Sequence, residues 1–239
     1  MDIFTTLVHQ MKIMAYTIHF KLNDALYVKD PESSALGKQI VSLSIDLIYS
    51  LGFETFTFKK LAAEVGTTEA TVYRYFENKH RLLLYIINWY WKYLDFQLNL
   101  QLKNITDSRK KLEKAIGLLT ESISDDAEGM GYNKTALYEI VISESSKVYL
   151  IKDVEEINKH QVFKPYKELC SRIADIITDY CPSYPYPKSL SSTLIESSHL
   201  QQFFSLHLPG LTDVNEKNKS SYTQHFVSNL VFQTLDGNK

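Results

Sequence analysis

From His80 to Leu100 the chain reads HRLLLYIINWYWKYLDFQLNL. Wound as a helix, this run has Leu82, Leu83, Ile86, Ile87, Trp89, Tyr90, Tyr93, Leu94 and Phe96 on more than one stripe. A helix with one apolar stripe needs one partner, whereas one apolar almost all round must be packed on several sides. The chain is therefore expected to build two cores and to join them through this helix.

The residues just before it supply the first core. Ile40, Leu43, Leu47 and Leu51 recur at helical spacing after Pro31, Ser33 and Ser34, and Gly52 closes the run. Thr57 caps a second, short helix with Phe58, Leu61, Ala62 and Val65 on one side, ended by Gly66. Thr67 or Thr68 caps a third, which reaches Phe76, and Asn78 caps the long apolar helix. Two short helices about a tight glycine turn are a helix-turn-helix pattern. Ala62 is small where the two helices cross, and Val72 and Phe76 face inward.

That packing leaves hydroxyls and cations for the outside. Thr68, Glu69, Ala70 and Thr71 stand at the start of the third helix, the part that meets base edges in the major groove. Tyr73, Arg74 and Tyr75 follow, with groups able to reach phosphate oxygens. Lys79 lies in the first turn of the long helix, where its charge and the free backbone N–H groups converge on an anion. Lys59 and Lys60 extend the basic set, although a solvated face would look the same. Half-buried aromatics are the alternative for Tyr73 and Tyr75, but the helix-turn-helix spacing and Lys79 favour DNA contact. From Thr57 to Lys92 there are six cations against three anions, in a chain whose formal net charge is -2. Any nucleic-acid contact must then come from this local patch.

Residues 34–83 resemble the DNA-binding domain of the TetR family of bacterial transcriptional regulators. The resemblance is carried by Gly52-Phe53, by FTFKKLAAEVG from Phe56, and by TTEATVYRYFENKHRLL from Thr67. Its most specific part is the spacing of Thr71, Tyr73, Phe76, Lys79 and Leu82. It implies that Tyr73, Tyr75 and Lys79 hold phosphates and that Thr68 and Thr71 enter the major groove, with Thr57 and Thr67 beside them. It also implies a homodimer on double-stranded DNA with a pseudo-palindromic operator, and repression relieved by an unknown small-molecule effector. Glu69 and Ala70 depart from the family's frequent cation or glycine, and Lys60 stands where an acidic capping partner is common. These departures bear on which operator is read.

The implied fold is all-α: an N-terminal three-helix domain (33–80) joined to a C-terminal helical bundle (81–239) for ligand binding and dimerisation. The dimer helices would be roughly 188–208 and 221–235. Residues 1–32 are expected to be an arm, partly disordered, with an extended stretch or hairpin suggested by the alternation at Ile18, Phe20 and Leu22 before Asn23-Asp24. Met14 could be the true start. Trp89, Tyr90, Tyr93, Phe96 and Tyr138 are candidates for a ligand pocket, against the reading that such a run is core. His199 and His207 read as surface or interface polarity.

No catalytic constellation, metal-ligand spacing or cofactor loop is present in the sequence, so neither enzyme activity, metal nor cofactor is expected. No run near the N-terminus reaches the roughly 18 apolar residues of a membrane span, and no basic segment precedes an apolar core. A cytoplasmic protein with reduced Cys170 and Cys181 is expected. The rival reading is a helical protein-interaction module with a relic DNA-binding domain, or one gated by a protein partner.

Overall fold

The structure, a computed structural model, describes residues 18–121, 131–219 and 221–238. Among them there are helices and no strand. The N-terminal helices are α1 (Ala35–Leu51), α2 (Phe58–Val65) and α3 (Glu69–Tyr73), and α4 (Lys79–Leu102) follows. The remainder comprises α5 (Ser108–Thr120), α6 (Lys134–Glu144), α7 (Ser146–Tyr149), α8 (Val154–Lys159), α9 (Lys164–Tyr180), α10 (Pro187–His207) and α11 (Tyr222–Asp236).

The N-terminal helices begin where side-chain oxygens can satisfy first-turn N–H groups. Ser34 caps α1 by accepting from the Gly37 N–H at 3.1 Å. Asn78 does the same for α4 through the Arg81 N–H at 2.9 Å. Gly52 ends α1 at φ 77°, a backbone that side-chain-bearing residues rarely adopt. Ile40, Val41, Ile45 and Ile48 line the buried face of α1.

α4 is buried on all sides, as its composition requires. Leu83, Ile86, Ile87, Trp89, Tyr90 and Leu94 are each at most 1% exposed. Its first turns close the N-terminal helices, and its later turns pack on α5, α6 and α9. Two polar links lock it to α9: Lys92 with Glu168 at 2.9 Å, and Asp95 with the Arg172 Nε at 2.7 Å. The apolar runs therefore share one continuous core rather than two separate ones. α9 and α10 pack against each other across the proline-bearing turn at 181–186.

The hairpin suggested for the arm is absent from the described part. Residues 18–33 instead form a strap with two 3-10 turns, Asp24–Leu26 and Pro31–Ser33, capped by Asn23 and Asp30. Its apolar residues dock on helices rather than on another strand. Phe20 sets its ring edge against Trp89 and Phe96, and Leu22 and Leu26 are buried. Polar bonds hold both ends of the strap. The Asn23 side chain donates to the His160 carbonyl at 2.7 Å, and the Val28 N–H donates to the Tyr75 carbonyl at 2.8 Å. Tyr132 donates its hydroxyl to Glu32 at 3.0 Å, and His19 pairs with the other Glu32 oxygen at 2.6 Å. The remaining arm residues, 1–17 with Met14, lie outside the described residues.

Candidate nucleic-acid interface

α2 and α3 are held at a fixed angle by their own turn. Gly66 takes the left-handed conformation, φ 73° and ψ 37°, and its N–H returns to the Ala62 and Ala63 carbonyls. The Thr67 N–H also bonds the Ala62 carbonyl, at 2.9 Å. Ala62 is buried at the crossing, and Val72 and Phe76 are fully buried beneath α3. Thr57 caps α2 through the Lys60 N–H, and Thr68 caps α3 through the Thr71 N–H, each at 3.3 Å. The hydroxyls of Thr68 and Thr71 bond each other at 3.0 Å, which orients both. α3 is one turn shorter than the sequence suggests, ending at Tyr73 with Arg74 as its cap.

On this frame Thr57, Lys59, Lys60, Thr68, Glu69, Ala70, Tyr73 and Arg74 are exposed, and Thr67 and Thr71 are half-buried. Tyr73 is 50% exposed, with its ring edge on Phe58 at 5.0 Å. Lys60 spends one ammonium N–H on the Thr55 carbonyl at 2.9 Å. The face thus offers hydroxyls, three cations and one carboxylate on two rigid helix starts. Such a surface can bond phosphate oxygens along its edges and base edges at the start of α3.

Two residues expected on this face are turned to other tasks. Tyr75 is buried, and its hydroxyl bonds the Ser34 hydroxyl at 2.8 Å while Lys29 sits over its ring at 5.1 Å. The strap covers it, so it is not an outward phosphate contact. Lys79 sets its ammonium on the carbonyls of Phe53, Glu54 and Phe56 at 3.0, 3.1 and 3.4 Å. Its stem places the charge 4.7 Å from the Phe53 ring centre. Three N–H groups meet three acceptors, so Lys79 fastens the turn between α1 and α2. Lys79→Met should therefore lower stability by about 2 kcal/mol, the scale of charge-assisted bonds at a partly exposed site. Urea unfolding measures it. Unchanged stability with a reduced salt slope of DNA binding would instead return Lys79 to the phosphate-contact role.

The pocket candidates separate onto different sides of α4. Trp89, Tyr93 and Phe96 face the strap, with Trp89 stacked on Tyr93 at 5.7 Å. Tyr90 lies on the other side, near His199 at 6.2 Å. Tyr138 on α6 is buried with its hydroxyl unpartnered, and its burial and Glu139 raise its pKa. The five do not line one cavity. His199 is the clearest departure from expectation: it is 3% exposed, not on the surface, and neither ring nitrogen has a partner. Burial pushes its pKa down to about 4. His207 is exposed, against Phe203 at 4.7 Å. Trp91, part of the aromatic run weighed as pocket or core, lies against His199 at 5.2 Å. Tyr149, Tyr166 and Glu196, which the sequence did not mark, join the group through Trp91 and through each other. Their separation in sequence hides them, and only the periodicity of Glu196 and His199 on α10 offered a cue.

Residues 40–86 match the family profile described as "Bacterial regulatory proteins, tetR family". No curated protein sequence matches the chain. Among solved structures it is similar to the transcriptional regulator FadR from Bacillus subtilis in complex with stearoyl-CoA, at 16% identity and a TM-score of 0.57, covering 84% of this chain and 98% of that one. It is also similar to the superantigen PfiT, at 14% identity and a TM-score of 0.56, covering 86% and 97%. AibR in complex with isovaleryl coenzyme A and operator DNA gives 14% identity and a TM-score of 0.54, covering 83% and 97%. At these identities the structural likeness shows the fold, and the profile match is confined to the helix-turn-helix segment. Residues 40–86 thus carry the segment that the profile of the tetR family of bacterial regulatory proteins describes, on a fold that these regulators share.

Proposed function

We propose that the protein is an operator-binding transcriptional regulator, a repressor released from DNA by a small effector. The observation that carries this reading is the exposed start of α3. Thr68, Glu69 and Ala70 stand outward there on a helix whose other side is locked by Val72 and Phe76. Glu69 suits a cytosine amino group and Ala70 a thymine methyl. Arg74, Lys59 and Tyr73 suit the flanking phosphates.

A homodimer would present two such helices to successive major grooves, about 34 Å apart. Leu200, Leu206, Phe226 and Leu230 on α10 and α11 are exposed apolar residues of the kind such an interface buries. FadR and AibR, named above, were crystallised with acyl-coenzyme A molecules. That supports a regulatory domain which responds to a small molecule here as well. The effector can shift the DNA-binding equilibrium only by its difference in affinity for the two states. α4 is the element through which it would act, because it closes the N-terminal helices and also packs on α5, α6 and α9.

Selection from random duplex DNA with the purified protein tests the proposal. A palindrome should emerge. Arg74→Ala should weaken binding to all sequences and reduce the salt slope by about one. Glu69→Gln should change the preferred base without changing that slope. Enrichment of nothing, or sequence-blind binding alone, would favour the interaction-module reading.

A further inference from the structure

Where α4, α7, α9 and α10 meet, five side chains form a group that the DNA face does not use. Glu196 on α10 accepts the hydroxyl of Tyr149 on one carboxylate oxygen and that of Tyr166 on the other, both at 2.6 Å. The two tyrosine rings lie nearly parallel, 11° apart, with centroids 6.2 Å from each other. Trp91 leans on Tyr166 at 4.9 Å and on His199 at 5.2 Å. His199 follows Glu196 by three residues, so the two share a face of α10. It is almost wholly buried, and both of its nitrogens lack a partner.

These groups favour one sign of charge. Among the described residues Glu196 makes no ion pair; its bonds come from two neutral phenols. Glu196 is half-buried, and the phenol hydroxyls satisfy its oxygens but leave its charge without a cationic partner. Ring faces carry the negative end of the aromatic quadrupole. A neutral imidazole adds a lone pair. Carboxylate, π faces and lone pair all attract a cation and repel an anion.

We propose that this cluster is the effector site and that it takes an organic cation, an amine or quaternary ammonium with an apolar or aromatic body. The inference rests on the effector-responsive reading given above. Its cheapest wall to open is Tyr149. That residue rides on α7, a single turn with no side-chain cap, followed by α8, which has none either. α7 also carries Lys147, whose ammonium bonds Glu54 at 2.8 Å. Glu54 belongs to the turn between α1 and α2 that Lys79 fastens. A cation that displaces Tyr149 therefore moves the element that touches the helix-turn-helix.

Benzyltrimethylammonium and its neutral isostere neopentylbenzene probe the charge. Stearoyl-CoA serves as the anionic comparison. Binding is read from tryptophan fluorescence in a Trp89→Phe background, which leaves Trp91 as the reporter because the chain has two tryptophans. The cation should bind at least about tenfold more tightly than the isostere. Glu196→Gln, which keeps oxygen for the tyrosines, should abolish that preference while circular dichroism melting shows an intact fold. Equal affinity for cation and isostere, a preference that survives Glu196→Gln, binding of stearoyl-CoA alone, or no binding at all would each overturn the proposal. The readout needs no DNA, so the two readings fail separately. Cation preference with no operator refutes the regulator, and operator release by stearoyl-CoA without cation preference refutes this site.

Discussion

Gly37→Ala should free the strap from α1 and cost about 2–3 kcal/mol, the range for overfilling a packed contact. In an exposed helix the same change is stabilising, by about 1 kcal/mol. The sign reverses here because of what the new methyl meets. A Cβ at Gly37 would stand 2.7 Å from the Pro31 Cα and 2.8 Å from its carbonyl carbon, and closer still to its oxygen. All three atoms are backbone, so no side-chain rotation relieves the clash. Pro31 is buried in the strap's second turn, one residue before Glu32, which anchors His19 and Tyr132. Displacing it releases that network. Urea unfolding should show the loss, and trypsin should cut faster at Lys21 and Lys29. An increase in stability, with cutting unchanged, would mean that the strap yields without cost.

Acid should destabilise the regulatory core through His199, by about 3 kcal/mol between neutral pH and about pH 4. The sign follows from linkage. In the unfolded chain the imidazole titrates near its ordinary 6.5, and in the fold burial holds it down to about 4. Between those values the unfolded chain binds the extra proton, so the stabilisation present above pH 6.5 is lost as pH falls towards 4. Carboxylates titrate in the lower part of the same window. His199→Leu therefore serves as the reference, and the stability gap between the two proteins is followed from pH 7 to pH 4. A gap that stays constant would mean that the ring takes up its proton without unfolding.

The legible parts of the fold were those written locally. Asn78, Thr57 and Ser34 cap helices with side chains three residues from their targets, and Gly52 and Gly66 end helices through their own φ. Periodicity placed α1 because it has an apolar stripe that its neighbours cover. The bonds of Lys79 were not legible because the carbonyls it holds lie 23 to 26 residues earlier, on a loop whose direction no periodicity records. The burial of Tyr75 was hidden for the same reason, as its cover arrives from Val28, Lys29 and Ser34. The alternation at Ile18, Phe20 and Leu22 was a true signal of one buried face, and the partner proved to be a helix. His199 was the hardest to read, since a polar residue among Ser197, Ser198 and Gln201 gives no sign of burial.

The length of α4 has a mechanical consequence. Its 24 residues make a rod roughly 36 Å long at about 1.5 Å per residue. If the late turns were held and the rod swung by about 5°, its first turn would travel roughly 3 Å. In a symmetric pair both reading heads would travel, and their separation would change by up to about 6 Å, against the roughly 34 Å pitch of the double helix. A small tilt is thus amplified into a mismatch of about a sixth of a helical turn.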